Sequence, residues 1–196
     1  MATRRVARRP RAAAPDAAAP DADGSDGEST DPESAARNIC LQLLTARPRS
    51  RAELATALGR KGVPSEVTDR VLDRLVEVGL VDDVAYAELV VQSSHRHRAL
   101  GRRALSAELR RRGVADDTAG EAIAALDTGD EEQTARQLVE RRLRAMSGLD
   151  DSTRIRRLVG MLARRGYPEG LAYRVVREAL REQGSSAELP DPEHVT

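Results

Sequence analysis

The residue types that most often do chemistry are sparse in this chain, and their spacing argues against catalysis. His95 and His97 stand two apart in "HRH". On a helix such a pair points in different directions, so joint metal ligation is not expected and both read as solvated basic side chains. Carboxylates are paired at Asp82-Asp83, Asp116-Asp117 and Asp150-Asp151, but each pair stands at a helix start, where capping accounts for it. Cys40 is the sole cysteine and sits in the apolar run "NICLQLL". It reads as a small core residue in a protein of a reducing compartment, with no internal disulfide. No phosphate-binding loop, nucleophile elbow or HExxH motif is present. The sequence therefore predicts no catalytic residue, no metal ligand and no cofactor: the chain is not expected to be an enzyme.

The chemistry that stands above background is that of arginine. Between Arg96 and Arg112 lie Arg96, Arg98, Arg102, Arg103, Arg110, Arg111 and Arg112, opposed by a single acid, Glu108. These seven are the candidates for contacting DNA phosphates or an acidic protein surface. Arg102 and Arg103 fall near a helix start, where cations oppose the helix dipole, so helix stability does not account for them. A second basic stretch holds Arg136, Arg141, Arg142, Arg144, Arg154, Arg156, Arg157, Arg164 and Arg165, diluted by Glu140, Asp150 and Asp151. It reads equally well as a solvated face. With no Phe, no Trp and three Tyr, a platform of aromatic rings for stacking bases is nearly excluded. Contact with nucleic acid would then be to the backbone, and salt-sensitive.

The elements that must position these arginines are helices. Lysine plus arginine balance aspartate plus glutamate at 32 each over 196 residues, so net charge names no partner. A core without Phe or Trp has to be built from Leu, Val, Ile and Ala, which suits helices packed on helices. Caps and stops divide residues 31–184 into nine segments. Asp31-Pro32-Glu33 opens the first, before Pro48; "SRAE" at Ser50 to Glu53 has capping-box spacing and opens the second, to Gly62; Pro64 opens the third, to Gly79. Asp82 caps the fourth, to about Arg98, and the fifth runs from about Gly101 to Gly113. Asp116 or Asp117 caps the sixth. "DEEQ" at Asp130 to Gln133 is a second capping box and opens the seventh, which stops at Gly148. Asp150 or Asp151 caps the eighth, to Gly166, and Pro168 begins the ninth.

A phrase recurs among these segments: "LGRKGVP", "LRRRGV" and "LARRGYP". With Gly62, Gly113 and Gly166 aligned, leucines stand four before (Leu58, Leu109, Leu162) and eight before (Leu54, Leu105, Leu158). An apolar residue stands ten after: Leu72, Ile123 and Val176. The glycine is the helix-stopping residue, and the cations ahead of it complement the negative helix end. A unit of about fifty residues and three helices has recurred, and one such unit buries little core alone. The expected fold is all-α: an elongated array of three tandem three-helix repeats, at 31–79, 80–129 and 130–184. A disordered N-terminal arm (1–30) and C-terminal tail (185–196) flank it. No stretch reaches the length of a membrane-spanning helix, and a cytoplasmic protein with no membrane partner is expected.

"VDDVAYAELV" (81–90) followed by "ALGRRALSAELRRRGV" (99–114) resembles the RecX family of bacterial recombination regulators, and the likeness extends over about residues 35–182. "GLVDD" closing the first unit and "LARRGYP" in the last resemble their family counterparts. Leu89 stands where relatives often place an aromatic residue, and Ser93 and Ser94 stand where they often carry a basic one. The resemblance implies a monomeric regulator of recombination, DNA repair and the SOS response that lies in the groove of the RecA filament on single-stranded DNA. There it would restrain strand exchange and ATP turnover. Arg102, Arg103, Arg111 and Arg112 are then the foremost contacts to filament acids or DNA phosphates. From another class, Ser50–Asp83 could be a winged helix of a transcription regulator, with Ser65 to Val78 as recognition helix. That reading needs a β-hairpin after Leu80, where the sequence offers a capped amphipathic helix.

Overall fold

The computed structural model describes residues 31–184, and over them the chain is helical: α1 (Pro32–Ala46), α2 (Arg51–Arg60), α3 (Ser65–Glu77), α4 (Asp83–Arg98), α5 (Arg102–Arg111), α6 (Asp116–Ala124), α7 (Thr128–Leu143), α8 (Asp151–Arg164) and α9 (Glu169–Glu182). No strand occurs among the described residues. The predicted arm at 1–30 and tail at 185–196 lie outside them. No helix among the described residues is long and apolar enough to cross a membrane.

Most helix starts use the side chains that the sequence offers. Asp31 accepts from the backbone N–H groups of Glu33 and Ser34, Ser50 from that of Glu53, Asp82 from those of Val84 and Ala85, and Asp150 from that of Thr153. Two starts differ from expectation. α6 has no side-chain cap: Ala115 takes the capping position, and Asp116 and Asp117 sit inside the first turn, where their charge complements the dipole. α7 starts earlier than "DEEQ", because Asp127 accepts from Gly129 N and Asp130 N. The supposed capping box is therefore helix interior. α7 also ends before Gly148, at Leu143, and tightens into a 3-10 turn at Arg144–Met146.

Each three-helix unit closes on its own aliphatic cluster. The repeated leucines, Leu54 and Leu58, Leu105 and Leu109, Leu158 and Leu162, are all 0% exposed and form the centre of the first, second and third cluster. Cys40 is equally buried in the first, and burial pushes its thiol pKa up. Gly62, Gly113 and Gly166 all have positive φ (77°, 72° and 83°), the left-handed stop that a side chain would strain.

The joint between units is written twice on the same plan, with a side-chain donor in one and a backbone donor in the other. At the start of α2, the Ser50 hydroxyl donates to the carbonyl of Arg112, the residue before Gly113, at 2.5 Å. Asp83, at the start of the next unit, accepts from Arg51 N at 2.9 Å. At the start of α5, Gly101 N donates to the carbonyl of Arg165, the residue before Gly166, at 2.8 Å. Glu131 accepts from Arg102 N at 3.1 Å. Ser50 and Gly101 both lie twelve residues before their own unit's glycine, as Arg51 and Arg102 lie eleven before. The glycine that ends one helix is thus also the seat for the preceding unit: a Cβ on Gly113 would meet Ala52, and one on Gly166 would come within 2.9 Å of the Ala104 Cα. A Cβ on Gly62, against which no described helix is seated, would meet nothing within 4 Å among the described residues.

Candidate nucleic-acid interface

The seven arginines of the central stretch do not act as one group. Arg102 turns inward. Its guanidinium donates to Glu131 Oε2 at 2.9 Å, to the Ile123 carbonyl at 3.0 Å and to the Leu126 carbonyl, while its backbone N–H holds the other Glu131 oxygen. Its place at a helix start, which dipole chemistry does not explain, is explained by this clasp between α5, the end of α6 and α7. Arg112 also turns inward, donating to Glu108 Oε1 at 2.8 Å and to the Tyr86 hydroxyl at 2.7 Å. Tyr86 in turn donates to Glu53 Oε2 at 3.1 Å, so the chain of bonds crosses from the second unit to the first.

The remaining five face outward. Arg96, Arg98, Arg103, Arg110 and Arg111 are exposed. Of these, Arg98 and Arg111 also approach Glu108, Arg98 at 3.6 Å. Glu108 is itself buried and serves three arginines at once. Burial pushes its carboxyl pKa up, but the hydrogen bonds and charges of Arg112 and Arg111 outweigh this and hold it below the usual carboxylate value. Glu53 is balanced likewise: burial raises its pKa, and Arg47, Tyr86 and Arg112 bring it below normal. Both acids are therefore ionised and occupied in orienting arginines.

Four adjoining cavities carry the outward cations. One of about 400 Å³, at the seam of the first and second units, is lined by Arg47, Arg49, Arg60, Arg110, Arg111 and Arg112, with Glu53 as the sole acid. The next, about 420 Å³, shares Arg111 with it and adds Arg98, Arg103 and Arg164. A third, about 580 Å³, shares Arg98 and adds Arg96, His97, Arg141 and Arg165. The fourth, about 860 Å³, lies on the third unit between α7, the 3-10 turn and α8. It shares Arg141, Arg164 and Arg165 with its neighbours and adds Arg142, Arg156 and Arg157 over Leu138, Met146 and Met161. Among the described residues Arg103, Arg141, Arg142, Arg156, Arg157 and Arg164 have no ion-pair partner. Exposed guanidinium groups without an ion-pair partner, gathered in adjoining cavities, are the chemistry that receives a run of phosphates or carboxylates.

The second basic stretch of the sequence thus divides. Arg136 is bound to Glu178, Glu182 and Glu132 on its own unit, and Arg154 staples α8 to the 3-10 turn through Met146 O and Ser147 O. Arg144 is exposed and lines none of the four cavities. The other six join the surface. The sequence reading passed over Arg47, Arg49 and Arg60. The signal for Arg60 was the repeated phrase itself, since Arg60, Arg111 and Arg164 hold the same place two before the glycine, and all three line these cavities.

The histidines correct another expectation. His97 is exposed, but His95 is buried: its Nδ1 lies 2.9 Å from the Leu100 carbonyl and its Nε2 3.1 Å from the Thr134 hydroxyl, bridging α4 to α7. It is a joint residue, not a solvated side chain. No group of three or more His, Cys, Asp or Glu side chains able to hold a metal ion occurs among the described residues. The segment after Leu80, where a winged helix would place its hairpin, is α4.

Comparison with known proteins is consistent along the chain. Family models described as the first, second and third three-helix domains of RecX match residues 36–75, 82–123 and 130–176. Regulatory protein RecX of Thermobifida fusca is 56% identical over 158 residues, spanning 81% of this chain and 85% of that one. Its counterpart from Streptomyces coelicolor is 54% identical over 153 residues, spanning 78% and 81%. The crystal structure of RecX from Lactobacillus salivarius superposes with a TM-score of 0.72 at 19% identity, covering 76% of this chain and 97% of that chain, a likeness of fold.

Proposed function

The chain belongs to the RecX family of regulatory proteins, and on that premise we propose that it regulates recombination by binding the RecA filament on single-stranded DNA. Bound there, it holds back strand exchange and ATP turnover. The observation that carries this reading is the set of adjoining arginine cavities spread over all three units. A filament repeats its acidic and phosphate groups, and a chain that repeats its cations meets several of them at once. Linked weak contacts then add through effective concentration without any one being strong. The protein acts as a monomer in the cytoplasm and performs no chemistry of its own.

In this reading Arg96, Arg98, Arg103, Arg110 and Arg111, with the outward arginines of the third unit, touch filament carboxylates or DNA phosphates. Arg102 and Arg112 support them by fixing the joints. Co-sedimentation of the purified protein with RecA filaments, alongside bare single strands and an ATP-turnover assay, tests it. Retention by the filament and slowed turnover are expected, both weakened when Arg103, Arg111 and Arg164 are reversed to Glu. A protein that stays in the supernatant at low ionic strength, or a reversed protein that inhibits fully, refutes the reading. Sequence-specific duplex binding without recombinase would instead mark a transcription regulator, but that reading lacks its wing.

A further inference from the structure

The largest of the four cavities has a feature that phosphate binding does not use. Its walls are guanidinium groups from two facing helices, Arg141 and Arg142 on α7 and Arg156 and Arg157 on α8, but its floor is Leu138, Met146 and Met161, and no carboxylate lines it. Cations alone bind a phosphate in a polar concavity. An apolar floor of two thioethers and a leucine gains from displacing water only if an apolar surface covers it. A flat heteroaromatic ring satisfies both parts: thioethers make favourable contacts with ring edges, and guanidinium planes stack on ring faces. The phosphates that such a ring carries need the cations at the rim. The volume, about 860 Å³, falls in the range of small-ligand pockets.

Resting on the polyanion reading above, we propose that this cavity binds a nucleotide base-first, with the base on Leu138, Met146 and Met161 and its phosphates on the arginine rim. The same chemistry is offered by a free nucleotide and by one unit of a single strand. The strand fits better, because the neighbouring cavities share Arg141, Arg164 and Arg165 and can take the phosphates on either side. A duplex keeps its bases stacked and cannot fill the floor. The site therefore selects single strands, by a route that needs no aromatic side chain and that the scarcity of Phe, Trp and Tyr conceals.

The test uses the full chain and fluorescein-labelled 20-mers in anisotropy titrations at one salt concentration: a base-bearing strand, a strand of the same length with abasic residues, and a duplex. A base stacked on an aromatic side chain is worth roughly a 5- to 150-fold change in affinity, and thioether and guanidinium contacts place this pocket at the lower end. The base-bearing strand is expected to bind at least about fivefold tighter than the abasic one, whose phosphates are the same. Met161→Ala is expected to close most of that gap while leaving abasic binding unchanged, and Arg156→Gln with Arg157→Gln to weaken both strands, the base-bearing one somewhat more because it also loses stacking on the guanidinium planes. Displacement of the strand by free dAMP at millimolar concentration identifies the free nucleotide as a second occupant of the same pocket. Equal affinity for base-bearing and abasic strands overturns the proposal without any variant, as does displacement of the base-bearing strand by a Glu-Leu peptide as readily as by unlabelled strand. If filament retention fails while the abasic difference persists, the regulatory reading falls and the pocket stands. If the abasic difference vanishes while the filament is retained, the pocket alone falls.

Discussion

Arg102 and Arg103 are neighbours in the sequence, and replacing each by glutamine is expected to have opposite consequences. The Arg102 side chain is 29% exposed and Glu131, its partner, 3% exposed. In Arg102→Gln the carboxylate of Glu131 keeps a backbone donor but loses its cation inside the joint, and the Ile123 and Leu126 carbonyls lose the guanidinium, although Ile123 still accepts from Leu126 N. Removing one partner of a buried pair costs about 3–5 kcal/mol, and the partial exposure of Arg102 places this case near 3 kcal/mol. For a chain of this size each kcal/mol lowers Tm by about 2–4 °C, so a fall of roughly 6–12 °C is expected in circular-dichroism melts. Arg103→Gln changes an exposed side chain with no ion-pair partner among the described residues and should move stability by no more than about 0.5 kcal/mol. It removes a candidate phosphate contact instead, so the log–log salt slope of single-strand binding should shrink by about 0.7. Combining Arg102→Gln with Glu131→Gln takes away both charges and should recover about 1 kcal/mol relative to the sum of the singles. An Arg102→Gln protein that melts within about 2 °C of the parent refutes the clasp. An unaltered salt slope for Arg103→Gln refutes its place on the surface.

Three other outcomes follow from the joints. Gly62→Ala should cost only the left-handed strain, about 1–2 kcal/mol, whereas Gly113→Ala and Gly166→Ala should each cost about 1–3 kcal/mol more, because the added Cβ meets Ala52 or Ala104; urea melts of the series give the order. Ala99 ends α4 at φ 49°, held there by Tyr167 Oη and Arg165 donating to the Ala99 and Arg98 carbonyls, so Ala99→Gly should raise stability by roughly 0.5–1 kcal/mol. Burial, followed by the charge of Glu131 and opposed by Arg165, pushes the Tyr167 phenol from 10.0 up to about 12. A raised pKa favours the protonated form in the fold, so this contribution is complete below pH 10 and is lost as pH rises towards about 12. On the order of 2–3 kcal/mol is at stake, and Tyr167→Phe should flatten that alkaline limb of the stability curve.

The repeat, the helical class and the three cores were legible because they depend on spacing. Leucines four and eight before a glycine fall on one helix face whatever surrounds them, and all six are fully buried. Helix starts were legible where the capping acid or serine stands directly before the apolar-periodic run, as at Asp31, Ser50 and Asp82. They were misread where two candidates stood close together: Asp127 took the start of α7 from Asp130, which freed Glu131 to serve Arg102. The site was legible only as a density of charge. Whether an arginine turns out to solvent or in to a joint depends on the carboxylate that faces it from another unit, and Glu131 is 29 residues from Arg102. His95 was misread for the same reason, its second partner being Thr134.

The recurrent basic-basic-glycine phrase joins two tasks in one turn. The glycine admits the preceding unit, and the residue just before it lends its carbonyl to that unit: Arg112 to Ser50, Arg165 to Gly101. The side chains of these two residues are also committed to the joint, Arg112 to Tyr86 and Arg165 to the Arg98 carbonyl. A planar fork with several fixed donors suits that place, and a lysine ammonium does not. In the first unit the same position is Lys61, the chain's single lysine, exposed on a turn that no other unit covers among the described residues. One position earlier, Arg60, Arg111 and Arg164 are all exposed and all line the arginine cavities. Because the Gly113 and Gly166 turns seat the preceding unit, Arg111 and Arg164 beside them lie at a seam by construction. Repeating the unit therefore repeats this outward arginine together with the fold.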